Sequence, residues 1–516
     1  MRRLYVPAIL VLTACTGGRP DTRPDVGAAL ETITPADIHH RIGVLADDSM
    51  LGRDTPSPGL ESAARYVAGA LASFGFEPAG TGGWLQRYPY PLQGLDVATT
   101  RFDVVAGATH TFEYGVDFYA HPGSRPPGPV GALWMGDDIA SADGELRDRA
   151  AILRLDGQPT EARGGVRFPQ ETRARIAATL ERAREAEAAA VVFVMEPGVG
   201  ASDVAALAGT AGAARRQLGG TADDAPPPVF FLTRDAARRL FRDGGLDATE
   251  QLARTTVDRP VPLAGLSLRL AAPIGMLDDA APPNVVGLLR GSDPELRDTY
   301  VVLSAHMDGV GVGRPDASGD SIYNGADDDA SGTAAVLEVA EALATLPDRP
   351  ARSVLVVAVS GEEKGLLGSR WFSDHPTVPL EAMVANVNID MIGRNAPDSI
   401  VVIGQEYSSL GPLIHDIAAR HPGLGLTVSE DLWPDERFFF RSDHFNFARK
   451  EIPALFFFAG VHEDYHRPGD ELEDIDTDKT ARVARMVFLL THALAEDPVA
   501  PEWSRSGLAE VRRLTR

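Results

Sequence analysis

Cysteine is almost absent from the sequence, which contains one, Cys15, among 516 residues. A chain with one thiol forms neither an internal disulfide nor a metal site built from several cysteines. Basic residues are also in deficit: 49 Lys and Arg stand against 73 Asp and Glu, a formal net charge of −24. Such an acidic chain is repelled by phosphate backbones, so the sequence argues against a nucleic-acid-binding function.

Apolar runs long enough to cross a membrane as a helix are missing as well. The first residues, MRRLYVPAILVLTAC, place two arginines before a short apolar stretch, which is typical of an export signal. Residues 12–15 resemble the lipobox of bacterial lipoproteins, in which Cys15 becomes the lipidated N-terminus; a plain signal peptide is the alternative. We therefore expect a signal peptide over residues 1–14 and a flexible tether over residues 15–34. The protein would be a cell-envelope lipoprotein, on the periplasmic or outer face, that meets the membrane only through its lipid anchor, or else a secreted protein.

The length predicts two to four domains of ~150 residues each. Residues 94–264 consist of short apolar strands between Gly- and Pro-rich loops, with one long Arg/Ala/Glu helix among them. We interpret this stretch as an inserted β-rich domain; a decorated edge of a single domain is the alternative. The flanking residues 35–93 and 265–500 then form the main domain, and residues 501–516 form a C-terminal tail.

From Pro283 onward, apolar strands alternate with amphipathic helices. Continuous apolar runs such as YVVLSAH (300–306) and SVLVVAVS (353–360) are typical of strands buried on both faces. Helical patterns such as that of residues 331–346 separate these runs. The alternation predicts an α/β fold in which a mostly parallel, mixed sheet lies between layers of helices.

Side chains that bind metals stand where these predicted strands end. They are His306 and Asp308, Glu362 and Glu363, Asp390, and, after the last strand, His462 and His466; a loop before a helix adds Asp327, Asp328 and Asp329. Because ligands bind at the carboxyl ends of the strands in an open α/β sheet, we expect these side chains to meet on one face. One polar residue at a strand end is usually a cap or a surface residue, whereas the convergence of all of them indicates a metal site.

The types of side chain select the metal. Imidazole and carboxylate without thiolate favour zinc, with cobalt or manganese as substitutes. The number of carboxylates favours two ions, because two zinc ions that share a bridging aspartate need five protein ligands. Asp308, two residues after His306 on the same strand end, can accept the second N–H of the imidazole. Of the adjacent carboxylates Glu362 and Glu363, one can bind metal while the other reaches the water.

A second zinc motif overlaps the site. Residues 462–466 read HEDYH, which matches the HExxH signature of helical zinc proteases. The flanking Gly and Pro residues leave little room for a helix, so we expect His466 to be a ligand and His462 to lie near the site or on the surface. Asp443 and His444, before the last strand, are candidates for the wall of a substrate pocket; a place in the core or behind the ligands is the equal alternative.

Five motifs in this order resemble the co-catalytic di-zinc aminopeptidases, a family that includes bacterial secreted leucine aminopeptidases and glutamate carboxypeptidase II. The motifs are SAHMD, NGADDDASGTA, SGEEKGLLGS, NIDMIGR and DYHRPGD, between about Asn284 and Ala495. The resemblance implies the phosphorylase/hydrolase-like fold of zinc exopeptidases. The insert resembles the protease-associated domain of several members, in the segments LRDRAAILRLDG and AREAEAAAVVFVMEPG.

The resemblance also implies a role for each residue of the site. Glu362 would be the general base, Tyr465 would help to stabilise the oxyanion, and Asp308 would orient His306. Five residues would be zinc ligands: His306 and Asp390 for one ion, Glu363 and His466 for the other, and Asp328 as the bridge between them.

The function that this resemblance implies is a zinc-dependent exopeptidase, in the first place an aminopeptidase acting on peptides. The α-amine of such a substrate would dock beside nearby acids, for which Asp435, Glu436 and Asp443 are candidates. Three alternatives stay open on the same fold: a glutaminyl cyclase, a carboxypeptidase of the glutamate-releasing type, and a receptor-like binding protein without catalysis.

Overall fold

A computed structural model of the chain describes most of its residues. They are residues 26–124, 128–139, 144–155, 160–162, 165–167, 169–195, 214–219, 226–254 and 257–515. The expected signal peptide and Cys15 lie outside these residues and stay a prediction. Among the described helices, none has the length and apolar character needed to cross a bilayer. The chain divides into two compact units, one of Met1–Arg87 with Pro282–Arg516 and one of Tyr88–Ala281.

A nine-stranded mixed sheet forms the centre of the first unit. Its strands are β1 (Glu77–Pro78), β2 (Leu85–Arg87), β3 (Pro283–Leu289), β4 (Tyr300–His306), β5 (Ser353–Val359), β6 (Met383–Ile389), β7 (Ser399–Ile403), β8 (Thr427–Ser429) and β9 (Ala454–Phe458). Their order across the sheet is β1-β3-β5-β4-β6-β9-β7-β8, and β2 also pairs with β3. The central strands β5, β4, β6 and β9 are parallel, as are β7 and β8. The other pairings are antiparallel.

Helices cover both faces of this sheet, which confirms the predicted α/β fold with a mixed sheet. They are α1 (Gly27–Thr32), α2 (Pro35–Leu45), α3 (Pro58–Ser73), α4 (Gly332–Thr345), α5 (Leu367–Asp374), α6 (Leu410–Arg420), α7 (His444–Ala448), α8 (Thr477–Glu496) and α9 (Arg505–Leu514). Alternation along β4 decides which face each side chain meets. Val301 and Leu303 join the apolar cluster that contains α2, α3, α4 and α8, whereas Val302 joins the cluster on the other face with Phe372 of α5 and Phe447 of α7.

The predicted tether and the predicted C-terminal tail both contain helices. Within the predicted tether, α1 occupies residues 27–32, and Ile33 is fully buried in the main apolar cluster. Within the predicted tail, α9 places Val511 in another apolar cluster. The flexible tether is therefore wrong for residues 27–33, because a few tertiary contacts stabilise a helix whose own apolar pattern is short.

The second unit contains a six-stranded sheet. Its strands, in order across the sheet, are Val261–Pro262, Gly131–Trp134, Arg149–Leu155, Ala190–Met195, Val229–Leu232 and Phe118–His121. Two three-stranded sheets, a two-stranded one and the helices Gln170–Glu185, Arg234–Asp243 and Ala248–Ala253 complete the described part of the unit. The unit is wider than the predicted insert of residues 94–264, because the strand Leu92–Leu95 pairs with Ile274–Asp278. Its kinship with protease-associated domains stays a prediction.

Candidate metal centre

The carboxyl ends of the parallel strands bring the predicted ligands together. His306 is the last residue of β4, Asp390 follows β6, and Glu363 lies in the loop after β5. Two groups of side chains have ligand atoms within 4.8 Å of one another: His306 with Asp328 and Asp390, and Asp328 with Glu363 and His466. The five residues named from the sequence as zinc ligands are thus all at one place, and Asp328 belongs to both groups.

The distances show that each histidine faces two carboxylates. Nε2 of His306 lies 3.2 Å from Oδ1 of Asp328 and 3.5 Å from Oδ1 of Asp390. Nε2 of His466 lies 3.1 Å from Oδ2 of Asp328 and 3.0 Å from Oε2 of Glu363. Asp328 therefore presents one oxygen to each histidine, as a carboxylate that bridges two cations would.

The loop before α4 decides which of three consecutive aspartates takes this place. Asp470 holds the loop from one side, because its carboxylate accepts the backbone N–H groups of Asp327 and Asp328, each at 3.0 Å. Oδ1 of Asp327 accepts the N–H of Gly393 at 2.6 Å. Asp329 accepts the N–H groups of His306 at 3.1 Å and of Met391 at 3.1 Å. The outer two aspartates thus hold the backbone of the site, and Asp328 reaches both histidines.

The carboxylates raise the pKa of both histidines. Burial opposes the protonation of His306, but Asp390 and the other carboxylates outweigh it and raise the pKa of His306 well above its usual value. Burial is also outweighed at His466, where hydrogen bonds to Asp328 and Glu363 raise the pKa to about 10. Burial, followed by the charge of Asp328, raises the pKa of Glu363 to about 7. Carboxylates packed this closely repel one another unless positive charge lies between them.

A pair of divalent cations would supply this positive charge. Oε1 of Glu363 is buried and has no hydrogen-bond partner among the described residues, and the buried Nε2 of His306 faces its two carboxylates without forming a hydrogen bond. Polar atoms of that kind are costly unless a ligand satisfies them. Three carboxylates and two neutral imidazoles are a donor set that zinc accepts, and three negative charges offset most of the charge of two divalent ions.

Asp308 lies behind His306, as the resemblance implies. Oδ1 of Asp308 is 3.6 Å from Nδ1 of His306, and the backbone carbonyl of Asp308 is 3.2 Å from the same nitrogen. The carboxylate also accepts the N–H of Glu362 at 3.2 Å and the hydroxyl of Thr55 at 3.0 Å. Acceptors at Nδ1 leave Nε2 free to bind metal.

Glu362 lines the pocket beside the ligands, together with Asp328 and Asp390. Burial, with the charges of Asp390 and other nearby acids, raises the pKa of Glu362 well above its usual value. A carboxylate with a raised pKa at the wall of a pocket is a good carrier of a proton at neutral pH. The geometry therefore separates the two adjacent glutamates, with Glu363 among the ligands and Glu362 facing the pocket.

The HExxH segment is not a helix: residues 463–466 form a turn. Its two histidines have different surroundings. His466 is in the ligand group, whereas Nε2 of His462 lies 3.5 Å from Oδ2 of Asp327, with 4% of the side chain exposed. Tyr465 stacks on the ring of His466, with centroids 3.9 Å apart, and lines the pocket.

The pocket wall differs from the one predicted. Its apolar members are Met391, Phe438, Phe456, Phe458 and Val461, with Arg441 as the one basic residue. Of the predicted substrate residues, Asp435 and Glu436 are exposed in the short 3₁₀ helix Pro434–Glu436 and do not line the pocket. Asp443 and His444 are fully buried and do not line it either. Asp443 and His444 thus take the buried alternative, and the role of Asp435 and Glu436 in binding substrate stays a prediction.

Local packing explains this outcome. His444 stacks on Phe456, with centroids 4.9 Å apart, and burial lowers its pKa to about 3. It supports the pocket wall from behind as a neutral ring. Arg441, which sequence reasoning missed, begins the same RSDH segment, and its guanidinium pairs with Glu436 at 3.3 Å. The RSDH segment does indicate where the pocket lies, but the sequence does not show which of its residues face the pocket.

Known proteins resemble the segment that carries these ligands. Residues 284–491 match Peptidase family M28. A probable zinc metalloprotease of Pyrenophora tritici-repentis is 27% identical over 300 residues, which are 49% of this chain and 59% of that protein. Aminopeptidase YwaD of Bacillus subtilis is 25% identical over 232 residues, 42% of this chain and 46% of that protein. The chain spans about half the length of the curated relatives it matches.

Two solved structures are similar over most of the chain. An aminopeptidase from Aneurinibacillus sp. strain AM-1 has a TM-score of 0.47 and 17% identity, covering 92% of this chain and 97% of that one. A zinc aminopeptidase from Bacillus subtilis has a TM-score of 0.46 and 15% identity, covering 90% and 96% of the two chains.

Proposed function

We propose that the protein is a zinc-dependent aminopeptidase of peptidase family M28, the family that residues 284–491 match. One observation carries the proposal: two ligand groups share Asp328, and Glu362 faces the pocket beside them. The names of the relatives, zinc metalloprotease and aminopeptidase, support zinc as the metal and the N-terminus of a peptide as the point of attack.

The ligand groups give each ion a place. His306 and Asp390 would hold one zinc, Glu363 and His466 the other, with Asp328 between them. When bound, zinc at such a centre supplies a Lewis acid and brings the pKa of a coordinated water to ~7. The chain provides a fixed set of donors on rigid strand ends, which is the arrangement that holds a metal in a defined geometry.

Proton transfer is the task of Glu362. Its raised pKa lets one carboxylate oxygen take a proton from the attacking water and pass it to the leaving amine. Tyr465 lines the same pocket, and burial, with the nearby carboxylates, raises the pKa of its phenol further above the usual value. The hydroxyl therefore stays protonated and can donate a hydrogen bond to the oxyanion of the tetrahedral intermediate.

The pocket favours an apolar side chain next to the reacting carbonyl, because Phe438, Phe456 and Phe458 form its wall. Arg441 supports a second candidate function. A guanidinium in the wall can bind a carboxylate, which is what a carboxypeptidase would need. The two candidates differ in the terminus that must be free, so peptides blocked at one end separate them.

The test compares purified protein, loaded with zinc, with the variant Glu362→Gln on a panel of aminoacyl-anilides. We expect kcat to fall by about 10²–10⁴-fold, since a general base contributes that much, while zinc content stays unchanged. Glu295→Gln is the matched control, because Glu295 is exposed near the start of β4, at the opposite end of the strand from His306. Full activity of Glu362→Gln would contradict the assignment of the base.

Other outcomes point to the alternatives on this fold. Hydrolysis of peptides with a blocked N-terminus would favour the carboxypeptidase. Cyclisation of an N-terminal glutamine without hydrolysis would favour a glutaminyl cyclase. Bound zinc without turnover of any of these substrates would leave a binding protein that has kept the metal site.

A further inference from the structure

A tight turn near the N-terminus, residues 51–55, reaches the metal centre from outside the family segment. Three consecutive residues in it have positive φ: Leu51 at 51°, Gly52 at 62° and Arg53 at 54°. Such backbone is strained for residues other than glycine and persists where its surroundings fix it. At Gly52 a Cβ would lie 2.5 Å from the carbonyl oxygen of Tyr323, so the turn is pressed against the loop before Asp328.

Arg53 is fully buried and gives all its hydrogen bonds to backbone carbonyls. Nε donates to Met307 at 3.0 Å, Nη1 to Leu45 at 2.6 Å and to Asn324 at 2.7 Å, and Nη2 to Gly325 at 3.0 Å. Met307 follows the ligand His306. Gly325 opens the loop that ends in Asp328. One planar guanidinium thus joins the backbone of two ligand-bearing segments that are far apart in sequence.

Thr55 makes the corresponding link to the third segment. Its hydroxyl donates to Oδ2 of Asp308 at 3.0 Å and accepts the N–H of Gly361 at 3.1 Å. Asp308 lies behind His306, and Gly361 directly precedes Glu362. Beside it, Asp54 pairs with Lys364 at 2.7 Å. The turn therefore fixes the loop that carries both glutamates as well.

The charges around Arg53 show why an arginine suits this place. Burial works against its charge, and the carboxylates of Asp308, Asp329 and Asp470 work in its favour. Arginine keeps its charge even when buried, and it presents five donors in a fixed plane. A lysine would keep the charge but could not reach both loops at once.

We propose that Arg53 and Thr55 are positioning residues of the metal centre, which hold the strand end at His306, the loop at Asp328 and the loop at Glu362 in register for two metal ions. The inference rests on the proposed function only in taking zinc as the metal. The family segment alone, residues 284–491, would then lack part of what its ligands need.

The test measures zinc affinity by competition with a chromophoric chelator, and thermal unfolding of the metal-free protein in parallel. We expect Arg53→Lys to bind zinc about 10–100-fold more weakly, the usual effect of removing a group that orients ligands, and Arg53→Met to bind more weakly still. The matched control is Arg352→Lys. Arg352 is also buried and donates to the carbonyls of Asp497 and Pro498, but it adjoins the start of β5, away from the ligands.

Arg352→Lys should lower the unfolding temperature and leave zinc affinity within about threefold of the unmodified protein. Thr55→Val, with Thr480→Val as its control, keeps the test decisive if the Arg53 variants do not fold. Thr480 is equally buried, and its hydroxyl serves a helix carbonyl, that of Asp476. Thr55→Val should weaken zinc binding about tenfold and Thr480→Val should not.

Zinc affinity equal to that of the unmodified protein in folded Arg53→Lys and Thr55→Val would overturn the inference. This result is distinct from a failure of the proposed function. A protein that binds zinc, loses affinity in these variants and yet cleaves no peptide would contradict the aminopeptidase and support the positioning role. An unmodified protein that binds no zinc would overturn both.

Discussion

The two ligand groups that share Asp328 differ in their exposure and in the elements that carry them. His306 ends β4 and Asp390 follows β6, and both are buried. Glu363 and His466 lie in loops, and 40% of the His466 side chain is exposed. Ligands on strand ends are held more rigidly than ligands on loops. The contrast indicates one more enclosed metal position and one more open to solvent.

The two metal positions should differ in how quickly they exchange their ions. The enclosed position has ligands that neighbouring groups hold in place; Oδ2 of Asp390, for example, accepts the hydroxyl of Ser442 at 2.7 Å. At the open position His466 stacks on Tyr465, which lines the pocket, and Asp390 of the enclosed position lines the pocket as well. We expect the enclosed ion to exchange slowly and the open ion to exchange quickly.

Replacing the shared ligand Asp328 should have the largest effect on zinc binding, because both metal positions lose a ligand at once. In Asp328→Asn the amide binds metal poorly and cannot serve two ions. We expect both positions to lose zinc by more than about 100-fold in affinity, beyond the 10–100-fold typical of an orienting group, and activity to fall to background. Metal analysis after dialysis checks this. Retention of one tightly bound zinc would show that Asp328 serves a single position.

Single ligand changes should separate the positions. His466→Asn should lower the zinc content from two to one per chain, with the enclosed ion retained. Asp390→Asn should weaken the enclosed position and leave the rapidly exchanging ion. Stopped-flow release to a chelator measures both phases, and His462→Asn is the control for a nearby histidine outside the ligand groups. Loss of the same kinetic phase in both ligand variants would break the distinction.

A smaller effect should appear in the pH dependence of the metal-free protein. The pKa of His466 is raised from 6.5 to about 10, and that of Glu363 from 4.5 to about 7. The folded chain therefore holds protons that the unfolded chain would release. The stabilisation is complete below pH 4.5 for Glu363 and below 6.5 for His466, and it is lost as the pH rises through about 7 and about 10.

We expect the unfolding temperature of the metal-free protein to fall by on the order of a few degrees between pH 6 and pH 10. With zinc bound the groups are already deprotonated, so this part of the slope should vanish and zinc affinity should rise with pH. Differential scanning calorimetry with and without zinc measures the effect. His466→Asn should flatten the metal-free profile; an unchanged slope in that variant would place its origin elsewhere.

Much of the fold could be predicted from the sequence, because strands buried on both faces are continuous apolar runs. The structure has β4 at Tyr300–His306, the same residues as the predicted strand. The short strand β8 (Thr427–Ser429) and the helix α9 have no comparable pattern. Their positions depend on neighbours, β7 for the strand and an apolar cluster for the helix, and local sequence does not encode such neighbours.

The ligands could be predicted from their chemical type and from their place at strand ends. The residues that line the pocket could not be predicted. Asp443 and His444 have suitable side chains, but they are buried behind the wall that Arg441 and Phe456 help to form. Arg53 gives no signal at all in the sequence. Its acceptor Asn324 lies 271 residues away, and a contact of that kind leaves no local pattern.

The sheet register at the edge of the first unit has a consequence for how the chain can be varied. Arg87, the end of β2, lies opposite Pro283, the start of β3, in an antiparallel pair. All the residues between them therefore form a very large loop in a β-hairpin. A two-residue turn such as Asn-Gly closes hairpins of this type. Residues 88–282 can thus be viewed as an exchangeable module, whose replacement leaves the metal ligands and both positioning residues in the retained chain.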